Sequence, residues 1–113
     1  MHELSIALSI VDIAEKEVKK HNAESVEQIE LEIGKLSGVE IYALDFAWDQ
    51  AVINTVLDKA KRKTIFINGI AQCQDCGFEF EIEQVYDACP KCNSYLKELK
   101  SGRELRVKSL TIK

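Results

Sequence analysis

The residues best placed to do chemistry are four cysteines in two short knuckles, Cys73-Gln-Asp-Cys76 and Cys89-Pro-Lys-Cys92, which together use every cysteine in the chain. Two residues between cysteines let a tight turn aim both sulfurs at one ion, and the stretch from Gly77 to Ala88 is long enough for a hairpin that returns the second knuckle to the first. The spacing predicts one tetrahedral zinc ion held by four thiolates. Such a sphere is full and has no position for water or substrate, so the metal is expected to be structural. Binding would also be folding, because sites of this kind contribute on the order of 10 kcal/mol of apparent free energy at neutral pH, more than a small insert gains from burying a few aromatic rings. Two disulfides would use the same residues. They belong mostly to exported chains, however, and the N-terminal residues lack the basic, apolar and small-residue segments of a secretory signal.

A second set of donors stands at Met1-His2-Glu3. A histidine in second place puts its imidazole, its own backbone amide nitrogen and the terminal amine of Met1 within one chelating unit, and such nitrogen donors suit square-planar nickel(II) or copper(II). The plainer reading makes His2 a solvated terminal residue and Glu3 a carboxylate stabilised near the start of a helix. The residues by themselves leave both open. An enzyme is not expected: the chain has two histidines, no cysteine left once zinc is counted, and no glycine-rich phosphate loop among its scattered glycines. Glu30 and Glu32 share one face of a strand, but read as solvated surface rather than as an acid and base pair.

The elements that must position these groups follow from periodicity. Leu4, Ala7, Leu8, Val11, Ala14 and Val18 predict a first helix from Leu4 to about Lys20, closed by Lys19, Lys20 and His21, where an imidazolium suits the exposed carbonyls. Ile6, Ile10 and Ile13 make its first half apolar nearly all round, so cover is expected on several sides, from the body or from another chain. Ile29, Leu31 and Ile33 alternate with acids and glutamine as a half-buried strand. Ser37-Gly-Val-Glu40 has the form of a capping box, which predicts a second helix starting at Ser37 with a buried face of Val39, Tyr42, Ala43, Phe46, Ala47 and Ile53. Thr55 to Ala60 reads as a turn or frayed helix. Lys63 to Ala71 reads as a second strand running into the first knuckle, and Arg103 to Lys113 as a third with a bulge near Lys108. Phe78, Phe80 and Ile82 alternate with glutamates as a hairpin in the insert. The fold class is therefore α+β, two helices packed on a small three-stranded sheet, with an inserted four-cysteine zinc ribbon. The domains would be residues 1–72 plus 99–113, and the ribbon of residues 73–98.

The chain has 113 residues and a net charge of −4. The size suits a modest core for which a metal staple matters. The acidic balance argues against a nucleic-acid surface, and between the knuckles Asp75, Glu79, Glu81, Glu83 and Asp87 face a single base, Lys91. The run Lys59, Lys61, Arg62 and Lys63 reads as a solvated edge. With no apolar segment of the roughly 20 residues that cross a bilayer, a cytoplasmic protein without membrane contact is expected.

The opening Met1-His2-Glu3-Leu4-Ser5, the segment Gly34-Lys35-Leu36-Ser37-Gly38-Val39-Glu40 and the two cysteine knuckles together resemble the HypA family over the whole length of the chain. That family comprises nickel metallochaperones for maturation of nickel-iron hydrogenases, with an N-terminal nickel-binding α/β domain and a zinc ribbon inserted before the last strand. The resemblance implies that His2 is the principal nickel ligand, through side chain and backbone, that Glu3 belongs to the same site, and that Cys73, Cys76, Cys89 and Cys92 hold a structural zinc. Glu40 carries two readings, a carboxylate near the nickel or the glutamate of the capping box. Some relatives place histidines beside the zinc knuckles, where this chain has Gly77 and Asn93, so a pH-responsive zinc site is not expected. The implied partners are a GTP-hydrolysing nickel-insertion protein and the hydrogenase large-subunit precursor, and the apolar first helix permits a homodimer. The competing function is a zinc-ribbon protein-interaction module without a second metal.

Overall fold

The structure, a computed structural model, describes every residue from His2 to Lys113; Met1 lies outside the described residues. The chain divides into two compact units. One runs to Leu31, resumes over Val39–Thr64 and closes with Val107–Lys113; the other comprises Glu32–Gly38 and Ile65–Arg106. The architecture is α+β, as expected, with two helices and two three-stranded sheets among the described residues.

In the first unit, helix α1 (Glu3–Lys20) has Glu3 in its first turn and Lys19 and Lys20 in its last, charges that complement the helix dipole. Its buried stripe is Ala7, Ile10, Val11, Ala14 and Val18, with the two alanines wholly buried, and α1 packs against α2. The stripe is rotated from the expected one. Ile10 lies inside while Leu4 and Leu8 remain half exposed, as does Ile13, so the described residues do not cover the helix on several sides.

Strand β1 (Val26–Gly34) buries Ile29, Leu31 and Ile33, as the alternation predicts, and also Val26, out of that phase. Helix α2 (Ile41–Ala51) begins later than the capping box suggests, because Gly38 adopts a positive φ of 82° that ends any helical start at Ser37. With the start moved, the buried face becomes Leu44, Ala47 and Trp48. Tyr42 and Phe46, expected inside, are 80% and 72% exposed.

The expected strand from Lys63 to Ala71 is two strands, β2 (Lys61–Ile67) and β3 (Gly69–Cys73), which part at Asn68 and join different sheets. The first sheet has the order β2-β1-β6, with β6 spanning Leu105–Ile112. Lys113 exchanges backbone hydrogen bonds with Glu24 and Ser25, so β6 ends where β1 begins and the two run antiparallel.

In the second unit, β3 lies between β4 (Glu79–Ile82) and β5 (Lys97–Ser101), antiparallel to both. Strand β5 carries no strong alternation of apolar residues and escapes sequence reading. The unit's own core is Ala71, Cys73, Phe80, Ile82 and Cys89, with Leu36 and Leu99 packed against it. Three glycines permit a close backbone crossing here. A side chain on Gly34 would fall on the carbonyl of Gly102, and one on Gly102, whose φ is 119°, would lie 2.8 Å from the Cα of Gly69. Among the described residues no helix is long and apolar enough to cross a membrane.

Candidate metal centres

The two knuckles are built alike. In the first, the Gly77 N–H donates to the Cys73 carbonyl (3.0 Å) and the Cys73 N–H to the Phe78 carbonyl (2.9 Å); in the second, the Asn93 N–H donates to Cys89 and the Cys89 N–H to Ser94, both at 2.8 Å. Each turn closes on a residue with positive φ, Gly77 at 75° and Asn93 at 62°. Glycine and asparagine are the residues that tolerate this conformation, so the backbone accounts for both positions. The Ser94 hydroxyl donates to the Asp75 carboxylate and ties the second turn to the first.

Each cysteine offers a sulfur, and all four sulfurs lie within 4.8 Å of one another. The Cys73–Cys92 and Cys76–Cys89 pairs are 3.6 and 3.7 Å apart. A tetrahedron of zinc–sulfur bonds of about 2.3 Å has edges of about 3.8 Å, so the cluster fits one zinc ion. Cys73 and Cys89 are buried, and Cys76 and Cys92 face solvent. The Cys76 N–H, 3.5 Å from the Cys73 sulfur, holds that thiol down at about 7. The Ser94 N–H favours the Cys92 thiolate, but the thiol of Cys73, burial and the remaining sulfurs together push it up to about 12. A bound zinc ion supplies the charge that removes these protons.

At the other candidate site, His2 is exposed and caps α1, its carbonyl accepting the Ile6 N–H at 3.2 Å. Glu3 follows in the first turn. Its Oε2 accepts the backbone N–H of Glu40 at 3.2 Å, which holds the carboxyl below the usual carboxylate range against the opposing effect of burial. Glu40 is itself the N-cap of α2: its Oε1 accepts the Tyr42 N–H at 3.2 Å and its Oε2 the Ala43 N–H at 2.7 Å. The expected capping box, with Ser37 as the cap and Glu40 reaching back, is thereby replaced. The structure thus joins the starts of the two helices and brings Glu3 and Glu40 together. Met1 lies outside the described residues. His21 caps the far end of α1, its Nδ1 3.0 Å from the Glu17 carbonyl, and eighteen helical residues separate the two histidines by about 27 Å.

One feature escaped the sequence. Arg62, in the basic run expected to be solvated, lies with its guanidinium 5.1 Å from the Trp48 ring centroid, pairs with Asp45, and buries Nη1 without a partner. A lone arginine among lysines was the available signal.

A family model described as hydrogenase/urease nickel incorporation, metallochaperone, hypA, matches residues 1–112. The hydrogenase maturation factor HypA of Parabacteroides distasonis is 49% identical over 113 residues, covering 100% of this chain and 98% of that protein. That of Prosthecochloris aestuarii is 41% identical over 112 residues, 99% of each. Among solved structures, the Ni metallochaperone HypA from Helicobacter pylori superposes with a TM-score of 0.69 at 26% identity, over 99% of this chain and 97% of that one. A second HypA solution structure gives 0.73 at the same identity, over 100% and 97%. With the cysteine cluster and the α+β order already in place, the whole-length match decides the question: the chain belongs to the HypA family of hydrogenase/urease nickel-incorporation metallochaperones.

Proposed function

We propose that the chain captures Ni(II) at its first residues and hands it on for maturation of a nickel-iron hydrogenase. The imidazole and backbone amide nitrogen of His2 are the principal donors, with the amine of Met1 completing the nitrogen set and Glu3 and Glu40 supplying carboxylates at its edge. The observation that carries this reading is the Glu40 N–H bond to Glu3, which gathers two acids beside an exposed histidine at a place where helix α1 uses the His2 carbonyl but not its amide. Nitrogen donors at a chain end exchange stepwise and suit cargo, whereas four thiolates retain their ion. In this reading nickel belongs to residues 1–72 with 99–113, and zinc to the ribbon of residues 73–98.

Nothing is chemically transformed; the protein is a carrier and not an enzyme, working in the cytoplasm. Its receivers are a GTP-hydrolysing nickel-insertion protein and the hydrogenase large-subunit precursor, a role supported by the relatives' naming as hydrogenase maturation factors. Substituting His2→Ala should abolish nickel uptake in calorimetry while zinc content stays at one per chain. Unchanged nickel affinity would overturn the proposal. Equilibrium dialysis of zinc-replete protein against nickel separates the carrier from a simple interaction module, which would take up no further metal.

A further inference from the structure

The ribbon's sheet has two open edges of opposite character. Strand β4 presents exposed Glu79 and Glu81 on one. Strand β5 forms the other, beside an open groove of about 520 Å³ lined by Val85, Tyr95, Lys97, Leu99 and Arg103. In the strand register Lys97 stands opposite Cys73 and Leu99 opposite Ala71, so both share the face that carries the ribbon core, and Leu99 packs against that core. The groove therefore has Leu99, packed on folded protein, between a cation at each end. Lys97 is the first residue of β5, and Arg103 lies just past its last. Among the described residues neither enters an ion pair, and Lys97 Nζ reaches the Tyr95 carbonyl at 3.4 Å.

We propose that this groove receives an extended acidic segment of a protein partner, which adds its backbone to the open edge of β5. Its carboxylates meet Lys97 and Arg103, and an apolar side chain between them covers Leu99 and Val85. Strand geometry supports this: alternate residues of an added strand project to one face about 6.6 Å apart, so an acid opposite Lys97 stands two residues from an apolar residue opposite Leu99, and a further acid on the same face lies toward Arg103 beyond the end of β5. Lysines are also placed on edges merely to prevent pairing. That role does not require an apolar Leu99 and Val85 between the cations, nor a Tyr95 left 71% exposed beside them.

The test uses the full zinc-loaded chain and a fluorescein-labelled synthetic peptide of repeated Glu-Thr-Val-Thr, which sets glutamate and valine in turn along one strand face, with lysine replacing glutamate in a control peptide. The acidic peptide should bind about tenfold or more tightly than the control, with a salt-sensitive affinity, and the joint substitutions Lys97→Glu and Arg103→Glu should reverse the preference. Amide shifts on titration should centre on β5. Lys97→Gln with Arg103→Gln, checked for intact zinc content, should bind the two peptides alike. Equal or absent binding by the native chain, shifts centred on β4, or concentration-dependent dimerisation through β5 would overturn the inference. It is independent of the nickel reading, since His2→Ala should leave peptide binding unchanged.

Discussion

Arg62 stands among lysines that face water, yet its guanidinium lies over Trp48 and reaches Asp45. A planar cation over an indole face is worth about 1 kcal/mol when partly desolvated, and lysine cannot reproduce both the stack and the directed pairing. Arg62→Lys should therefore lower stability by about 1 kcal/mol in urea unfolding although the charge is kept. Glu40 allows a finer dissection. Removing a cap costs about 1 kcal/mol, so Glu40→Ala should destabilise α2 with or without nickel, whereas Glu40→Asn retains a capping oxygen and removes the charge. Nickel affinity that falls in Glu40→Asn while stability holds would assign the carboxylate a part in the metal site. The cysteine cluster was legible because spacing alone defines chelation, whereas His2 and Glu3 were singled out as a nickel site through the family resemblance. The Glu3–Glu40 contact was not legible, since it joins residues distant in sequence whose meeting depends on how two helices start.

At the scale of elements, the long periodic segments were readable and their faces less so. The boundaries of α1 and the end of β1 followed from spacing, while the stripe of α1 took in Ile10 and left Leu4 and Leu8 half exposed. In α2 a single glycine with positive φ displaced the start, and the aromatics assigned to the core turned outward. The glycines that seemed scattered in sequence include three that converge at one backbone crossing in the second unit. Gly34→Ala would drive a methyl into the Gly102 carbonyl and should cost about 3 kcal/mol, read as a lower thermal midpoint with one zinc still bound.

For the whole molecule, the ribbon's core is a handful of side chains, two of them cysteines, so a bound ion is expected to supply much of its stability. A strong chelator, or Cys73→Ser, should abolish amide protection first in β3, β4 and β5 while most helical ellipticity survives, as followed by hydrogen exchange and circular dichroism. Simultaneous loss of α1 and α2 would show that the units do not unfold separately. The paired sulfur geometry also dictates an order of assembly. Soft thiolates accept many divalent ions besides zinc, so a freshly made chain that meets the nickel pool with its cage still vacant would sequester in the framework the very ion it is meant to relinquish. On the proposed carrier reading, zinc loading is expected to precede service as a courier.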